Sequence, residues 1–362
     1  MSIFEKLAEF DCEELVFCHD EDSGLRVIIA IHDTTLGPAL GGCRMWPYRN
    51  EEEAVVDVLR LARGMTYKAA VSGLDLGGGK SVILGDPDRD KSGTLFRSFG
   101  RYVETLGGQY IAAEDVGTSP EDMEHIRAET PHVVGVDVAR GGSGDPSPYT
   151  ALGVVAGMHA CAEEVFGSPS LEGLTVAVQG LGHVGYELCR LLHAEGVGLV
   201  VTDLRQDVVE RAVREFGAEP VGPVEILSVP CDIFAPCALG AVVNDETLPN
   251  LSCSIVAGSA NNVLAEGRHG IALAERGILY APDYVINAGG LINVAAELEG
   301  YDEERARERV ARIYDSVKNV IGISRRDGVP TNVAADRLAL ERLHAGRQHR
   351  RLATAGHAGR EL

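Results

Sequence analysis

Lysine is scarce in this 362-residue chain. Only five occur (Lys6, Lys68, Lys80, Lys91, Lys318), leaving 28 of the 33 basic residues arginine. Arginine keeps its proton at working pH, whereas a buried lysine can give its proton up. Each surviving lysine is therefore a candidate for chemistry or anion binding. Long apolar runs are missing too, and nothing approaches the ~20 residues a membrane span needs. Met1–Asp11 alternates charge with apolar residues and lacks a signal-peptide core. The eight cysteines are scattered without a CxxC pair, which suits reduced residues of a cytoplasmic protein rather than a disulfide framework. No HExxH or other clustered His/Cys ligand spacing appears, so no metal is expected. Positive charge is also short: 54 acidic residues give a formal charge of −21, which argues against nucleic acid or an anionic membrane as partner.

The most informative stretch is Thr175–Asp203. Thr175–Gln179 is a β-branched run that reads as a buried strand. Gly180-Leu181-Gly182-His183-Val184-Gly185 follows, then Tyr186–Leu192 with apolar residues at helical spacing. A second strand, Leu199–Thr202, ends at Asp203, with Leu204 and Arg205 next. Strand, glycine turn, helix, strand and terminal acid form the dinucleotide fingerprint in its required context. Gly180 permits the tight turn, Gly182 lets backbone approach a pyrophosphate, and Gly185 lets helix and strand pack closely. The helix N-terminus, at His183 and Val184, supplies free N–H groups for phosphate. Asp203 suits the two ribose hydroxyls of NAD and would repel a 2′-phosphate, though Arg205 softens that repulsion.

The length suits about two domains. We expect an α/β protein with a substrate-binding and oligomerisation domain over 1–140 and an NAD-binding Rossmann domain over 141–328. Residues 329–362 are expected to form a C-terminal helix packing back on the first domain, frayed after Gly346. Leu15–Cys18 and Leu25–Ile31 read as a hairpin across Asp22-Ser23-Gly24. Leu36–Arg44 is a glycine-rich segment whose backbone N–H groups would face an anion. Asn50 and Glu53 make a helix-capping pair. The helix after it carries Ala54, Val58, Leu61, Met65 and Lys68 on one stripe. A lysine in that register either snorkels to solvent or meets a bound anion. Gly77-Gly78-Gly79-Lys80 leads into a strand at Ser81–Leu84, and no helix follows, so this is no phosphate loop. Tyr110–Ala113 is a strand with Glu114-Asp115 at its C-terminal end, where acids either serve a ligand or are merely solvated. Asp232–Ala235, Ser254–Ala257 and Tyr284–Ile286 read as later strands. Their following loops hold Cys237, Ala238, Asn261, Asn262 and Asn287, expected beside the nicotinamide. Two helices close the chain, over Asp302–Arg325 and Thr331–His344.

Several of these segments together resemble the glutamate/leucine/phenylalanine/valine dehydrogenases. They are Leu36-Gly37-Pro38-Ala39-Leu40-Gly41-Gly42-Cys43-Arg44, Met65-Thr66-Tyr67-Lys68, Gly77-Gly78-Gly79-Lys80, Glu114-Asp115-Val116-Gly117 and Asn287-Ala288-Gly289-Gly290. The resemblance runs from about residue 10 to 345. It implies NAD-dependent, reversible oxidative deamination of an amino acid to a 2-oxo acid and ammonium, in a cleft between two domains of a homo-oligomer, octamer or dimer. It further implies that Lys68 and the Gly41–Gly42 backbone hold the substrate carboxylate. Lys80 would activate the attacking water, and Asp115 would share in moving protons. Asn262 would orient substrate and nicotinamide, with Thr150 near the carboxamide.

The resemblance also bears on the substrate. Relatives acting on glutamate carry a lysine just before the Gly-Gly; here Leu40 stands there, which implies an apolar side chain. The resemblance implies a pocket wall of Leu40, Ala113, Leu291 and Val294, with Met65 a further substrate-binding candidate. Phenylalanine-preferring relatives have glycine where Ala113 stands and leucine where Val294 stands, so the branched-chain type fits better. Leu291, bulkier than the valine of a leucine specialist, tilts the expectation toward valine. The rivals are a phenylalanine dehydrogenase and a non-catalytic NAD-binding protein on the same fold.

Overall fold

Alternating apolar residues in the first third of the chain build a sheet with two distinct faces. The computed structural model describes residues 2–238 and 240–358. Within it the chain forms two units: Met1–Asp145 with Val294–Glu303 and Ala339–Leu362, and Pro146–Asn293 with Glu304–Leu338. In the first unit α1 (Ile3–Phe10) precedes β1 (Glu14–Asp20), β2 (Leu25–Asp33) and β3 (Ala39–Trp46). Then come α2 (Glu51–Val71), β4 (Gly77–Leu84), α3 (Gly93–Thr105), β5 (Tyr110–Glu114) and α4 (Pro120–Arg127). The strands lie in the order β1-β2-β4-β3-β5. β1, β2 and β4 pair antiparallel, and β4, β3 and β5 pair parallel.

Side chains alternate across each strand, and the two cores follow from that parity. Val27, Ile29, Ile31, Cys43, Met45, Ile83, Tyr110 and Ala112 face Phe96, Phe99, Met123 and Ile126 of α3 and α4. Ile28, Ala30 and Val82 face Ala54, Val55, Val58, Leu59 and Ala62 of α2. The glycine-rich Leu36–Arg44 segment is thus mostly the interior strand β3, and the glycine triplet lies inside the central strand β4 rather than ahead of it. Glycine is required at Gly78 by close approach: a Cβ there would stand 2.0 Å from the Thr66 amide nitrogen of α2. Helix and strand meet backbone to backbone. Asn50 caps α2 as expected by accepting from the Glu53 amide, 2.9 Å. The buried face of α2 includes Ala54 and Val58 of the expected stripe and continues through Val55, Leu59, Ala62, Thr66 and Ala69. Leu61, Met65 and Lys68 are half-buried at its margin.

In the second unit α5 (Ser147–Phe166) leads to β6 (Thr175–Gln179), α6 (His183–Ala194), β7 (Gly198–Thr202), α7 (Gln206–Phe216) and β8 (Glu219–Pro220). β9 (Ile233–Pro236), β10 (Ile255–Val256), α8 (Arg268–Glu275) and β11 (Leu279–Tyr280) complete a parallel sheet of order β11-β10-β9-β6-β7-β8. The expected strand at Tyr284–Ile286 is instead a short helix, α9 (Asp283–Ile286). Pro282 cannot donate to a ladder, and the Asn287 amide closes the turn on Asp283 O, 2.9 Å. The sheet's last strand is two residues at Leu279–Tyr280. α10 (Gly289–Ala295) follows, and the helix expected over Asp302–Arg325 is split at Arg312 into α11 (Glu303–Ala311) and α12 (Ile313–Asp327).

The final helix, α13 (Thr331–Ala358), extends well past Gly346, where fraying was expected. Its basic residues find partners. Arg342 donates to Ala69 O and Ala70 O at the end of α2 and pairs with Asp75 at 2.8 Å; Arg347 pairs with Asp33 at 2.8 Å. Asp33 is 2% exposed. Burial would raise its carboxyl, but Arg347 and Thr35 hold it below the usual carboxylate range. A group so depressed stabilises the fold above its unfolded-state pKa, and the contribution fades as pH falls through the folded value. Arg347→Ala, which leaves Asp33 buried without its cation, is expected to cost about 1–3 kcal/mol. A lower urea midpoint at pH 7, with the deficit shrinking below pH ~4, checks this; a frayed tail would leave the midpoint unchanged.

Candidate active site

Parity on three neighbouring strands decides which side chains share the α2 face: Leu40, Gly42 and Arg44 of β3, Gly78 and Lys80 of β4, and Ile111 and Ala113 of β5. Asp115 follows at the end of β5. Its backbone N–H donates to Thr118 Oγ1 at 2.9 Å, and that hydroxyl reaches Cys43 O at 2.9 Å, which pins the turn. Lys80, 4% exposed, places Nζ 3.1 Å from Asp115 Oδ1. Gly42 lies beneath the pair: a Cβ there would stand 2.7 Å from Asp115 Cβ and 3.0 Å from Lys80 Nζ. Lys80, Asp115 and Gly42 therefore converge. Gly41, beside Gly42 in the strand, packs on the Gly79 carbonyl of β4, and its own carbonyl accepts from the Tyr110 hydroxyl at 2.8 Å.

Of the remaining first-unit candidates, Leu40 and Ala113 neighbour this pair on the sheet. Leu40 is 1% exposed, opposite Gly78 on one side and Ile111 on the other; Ala113 is opposite Gly42. Met65 and Lys68 stand half-buried on the last turns of α2, either side of Thr66. Val294, 7% exposed, belongs to this unit through its Val294–Glu303 segment.

One participant was missing from the sequence reading. Arg44 Nε sits 2.9 Å from Asp115 Oδ2, and Arg44 Nη1 is 3.0 Å from Asp57 Oδ2 on α2. Asp57 also accepts from the Tyr48 hydroxyl at 2.7 Å and from Arg60 at 2.8 Å. The signal was present, since Arg44 is two residues past Gly42 and so on its face. Burial alone would raise the Asp115 carboxyl, but Lys80 and Arg44 outweigh it and keep the carboxyl below its usual range. Next to it, burial and the charges of Asp145, Asp122 and Asp115 push Glu114 up to about 7, with Lys91 opposing.

In the second unit the glycine turn brings strand end and helix together through backbone. Gly180 has φ +99°, and a Cβ at Gly185 would stand 2.0 Å from Gly180 O, so helix and turn touch through backbone. Gly182 is the N-cap of α6, with no side-chain cap and open space where its Cβ would be. The N–H groups of His183, Val184 and Gly185 start the helix there, before the first backbone bond from Tyr186 to Gly182 O. Asp203 directly follows β7, and its oxygens accept from the Leu181 and Arg205 amides at 2.7 and 2.8 Å. A carboxylate has about four lone-pair sites, so capacity remains for ribose hydroxyls. Ala238 packs on Gly180, and Cys237 on Gly185. Asn287, 5% exposed, donates to Ser259 O and Asn261 Oδ1 at 3.1 and 2.8 Å, while its own Oδ1 is buried without a hydrogen-bond partner. Gln179 Oε1 is likewise orphaned. Such atoms at the C-terminal edge of a parallel sheet fit a bound ligand that would satisfy them. Thr150 donates to Pro146 O at 3.1 Å and packs against Gly290. Leu291 is buried; Leu204, Asn261 and Asn262 are exposed, and Asn262 adopts φ +54°.

One unit carries a parallel sheet with a glycine turn and a terminal acid, and the other a mixed sheet with a buried lysine–aspartate pair, the two components of an α/β dehydrogenase. Residues 12–132 match the model of the Glu/Leu/Phe/Val dehydrogenase dimerisation domain, and residues 199–351 match that of Glutamate/Leucine/Phenylalanine/Valine dehydrogenase. The chain belongs to that family of amino-acid dehydrogenases. It is 61% identical to leucine dehydrogenase of Bacillus cereus over 343 residues, covering 95% of this chain and 94% of the relative. It is 50% identical to phenylalanine dehydrogenase of Bacillus thermotolerans, covering 95% and 91%. The crystal structure of L-tryptophan dehydrogenase from Nostoc punctiforme superposes with a TM-score of 0.84 at 48% identity, covering 96% of this chain and 100% of that one.

A methyl group beneath the ion pair would drive the two side chains apart. Gly42→Ala is expected to fold yet lose dehydrogenase turnover by at least about 100-fold; steady-state kinetics with a circular dichroism control checks it.

Proposed function

We propose that this chain catalyses the NAD-dependent, reversible oxidative deamination of a branched-chain L-amino acid to its 2-oxo acid and ammonium. The observation that carries the reading is the buried Lys80–Asp115 pair, 3.1 Å apart above Gly42. Deaminating an amino acid requires proton transfers at the nitrogen and at an attacking water. Both need a group that exchanges protons near neutral pH, placed where bulk water is excluded. In this reading Lys80 activates the water that attacks the iminium carbon, and Asp115 shuttles protons to and from the amine. Lys68 and the Gly41–Gly42 backbone hold the α-carboxylate.

NAD, when bound, supplies the hydride acceptor, or donor in the reverse direction. Gly182 and the first amides of α6 would hold the pyrophosphate, and Asp203 the ribose hydroxyls. Asn287, Asn261, Thr150 and the Cys237–Ala238 turn would bound the nicotinamide, and Asn262 would orient it against the substrate. The similarity to leucine dehydrogenases and the match to a dimerisation domain also support a homo-oligomer.

Leu40 supports an apolar substrate. A glutamate side chain would bring a carboxylate against a buried leucine, at the desolvation cost of an unpaired charge. Ala113, Leu291 and Val294 complete the pocket wall in this reading. One methylene is worth only ~1–3 kcal/mol in such a pocket, so leucine, isoleucine and valine are expected to overlap in rate.

Two measurements test the proposal. Lys80→Ala is expected to lose several orders of magnitude in turnover while still binding NADH, read by nucleotide fluorescence; near-normal turnover would defeat the assignment. A panel of L-amino acids with NAD or NADP, followed by absorbance of the reduced cofactor, should show all three branched-chain substrates well above glutamate. Phenylalanine turned over faster than leucine would redirect the specificity reading.

A further inference from the structure

We propose that Arg44 is the positioning residue of this site: its guanidinium, bridging Asp115 and Asp57, keeps the Asp115 carboxylate ionised and turned toward Lys80 through turnover. The inference rests on the reading of Lys80 and Asp115 as the proton-transfer pair. A lysine that releases its proton cannot serve as a permanent countercharge. Whenever Lys80 is neutral, Asp115 would be a largely buried carboxylate without a cation, a strongly unfavourable state. Arg44 removes that difficulty because guanidinium does not deprotonate in proteins. Its contact is to Oδ2, at 2.9 Å, so Oδ1 stays available to Lys80 at 3.1 Å. The two cations divide the carboxylate between them.

Arg44 is itself held from outside the site. Asp57 takes Arg44 Nη1 at 3.0 Å and is fixed by the Tyr48 hydroxyl and Arg60. A forked, planar cation can bridge two carboxylates in fixed geometry, which a single ammonium cannot. The charged groups that bear on Asp115 are Lys80 on β4 and Arg44 on β3, with Asp57 and Arg60 of α2 behind Arg44. Glu114 on β5 and Asp122 on α4 are the neighbouring acids, and the Cys43 thiol, pushed up to about 12, stays neutral. Glu114 is pushed up toward neutral pH, so it needs its own control.

The test is the pH profile of kcat/KM for leucine. Without Arg44, burial dominates at Asp115, its carboxyl rises, and activity falls off earlier on acidification. Arg44→Gln is therefore expected to move the acid limb up by at least about one pH unit. Arg44→Lys restores the charge and should return the limb toward its original position with kcat still reduced. Asp57→Asn leaves Arg44 charged but unanchored, and should lower kcat without raising the limb. An unmoved limb in Arg44→Gln, or a limb raised as far in Arg44→Lys, overturns the proposal; if Arg44→Gln fails to fold, Arg44→Lys alone decides on the same criterion. Glu114→Gln should keep the limb, and its disappearance there would also overturn the assignment. Asp115→Asn separates the two levels of argument. Full turnover in that variant sinks the proton-transfer reading and this inference together, whereas lost turnover with an unmoved Arg44→Gln limb sinks this inference alone.

Discussion

One carboxylate shared between two cations is the constraint from which the rest of the site follows. Asp115 faces Lys80 on one oxygen and Arg44 on the other, in a largely buried place where a lone charge would be strongly disfavoured. The pair can be close only because position 42 has no side chain, and the strand carrying Lys80 can lie under α2 only because position 78 has none. Gly78 thus serves contact between backbones, and Gly42 makes room for two side chains. They bring three strands and a helix near enough for short side chains to meet.

The same device recurs in the second unit with a different result. There Gly180 and Gly185 let a turn and a helix touch, which leaves the start of α6 uncapped above Gly182. Free amides at a helix N-terminus attract phosphate, and Asp203 at the next strand end suits a ribose diol. The cation–carboxylate chemistry of one unit and the nucleotide geometry of the other are the two requirements of amino-acid dehydrogenation. Membership of the Glu/Leu/Phe/Val dehydrogenases accounts for both occurring in one chain.

Much of this was legible in the sequence. The dinucleotide unit was readable because its strand, turn, helix and acid are contiguous, so local spacing carries the whole pattern. Lys80 and Asp115 stood out through lysine scarcity, strand-end position and resemblance. Arg44 was overlooked because its partners come from α2 and the end of β5, and such contacts appear only once strand order is known. Only the later half of the α2 stripe was misplaced, because Leu61, Met65 and Lys68 share the helical period of Ala54 and Val58 while lying at the edge of the buried face. Tyr284–Ile286 has strand-like composition but follows Pro282, and the local turn won over propensity. The stretch after Gly346 looked frayed because Arg347 appears as a solvated charge in sequence, although its acceptor lies hundreds of residues away at Asp33.

The most direct measurement is a crystal structure of the protein with NADH and a branched-chain 2-oxo acid. The account predicts the keto carbon within contact of Lys80 Nζ, with Asp115 still paired to Lys80 and Arg44, and the pyrophosphate on the amides after Gly182. A 2-oxo acid seated away from Lys80, with the lysine–aspartate pair untouched by ligand, would contradict it.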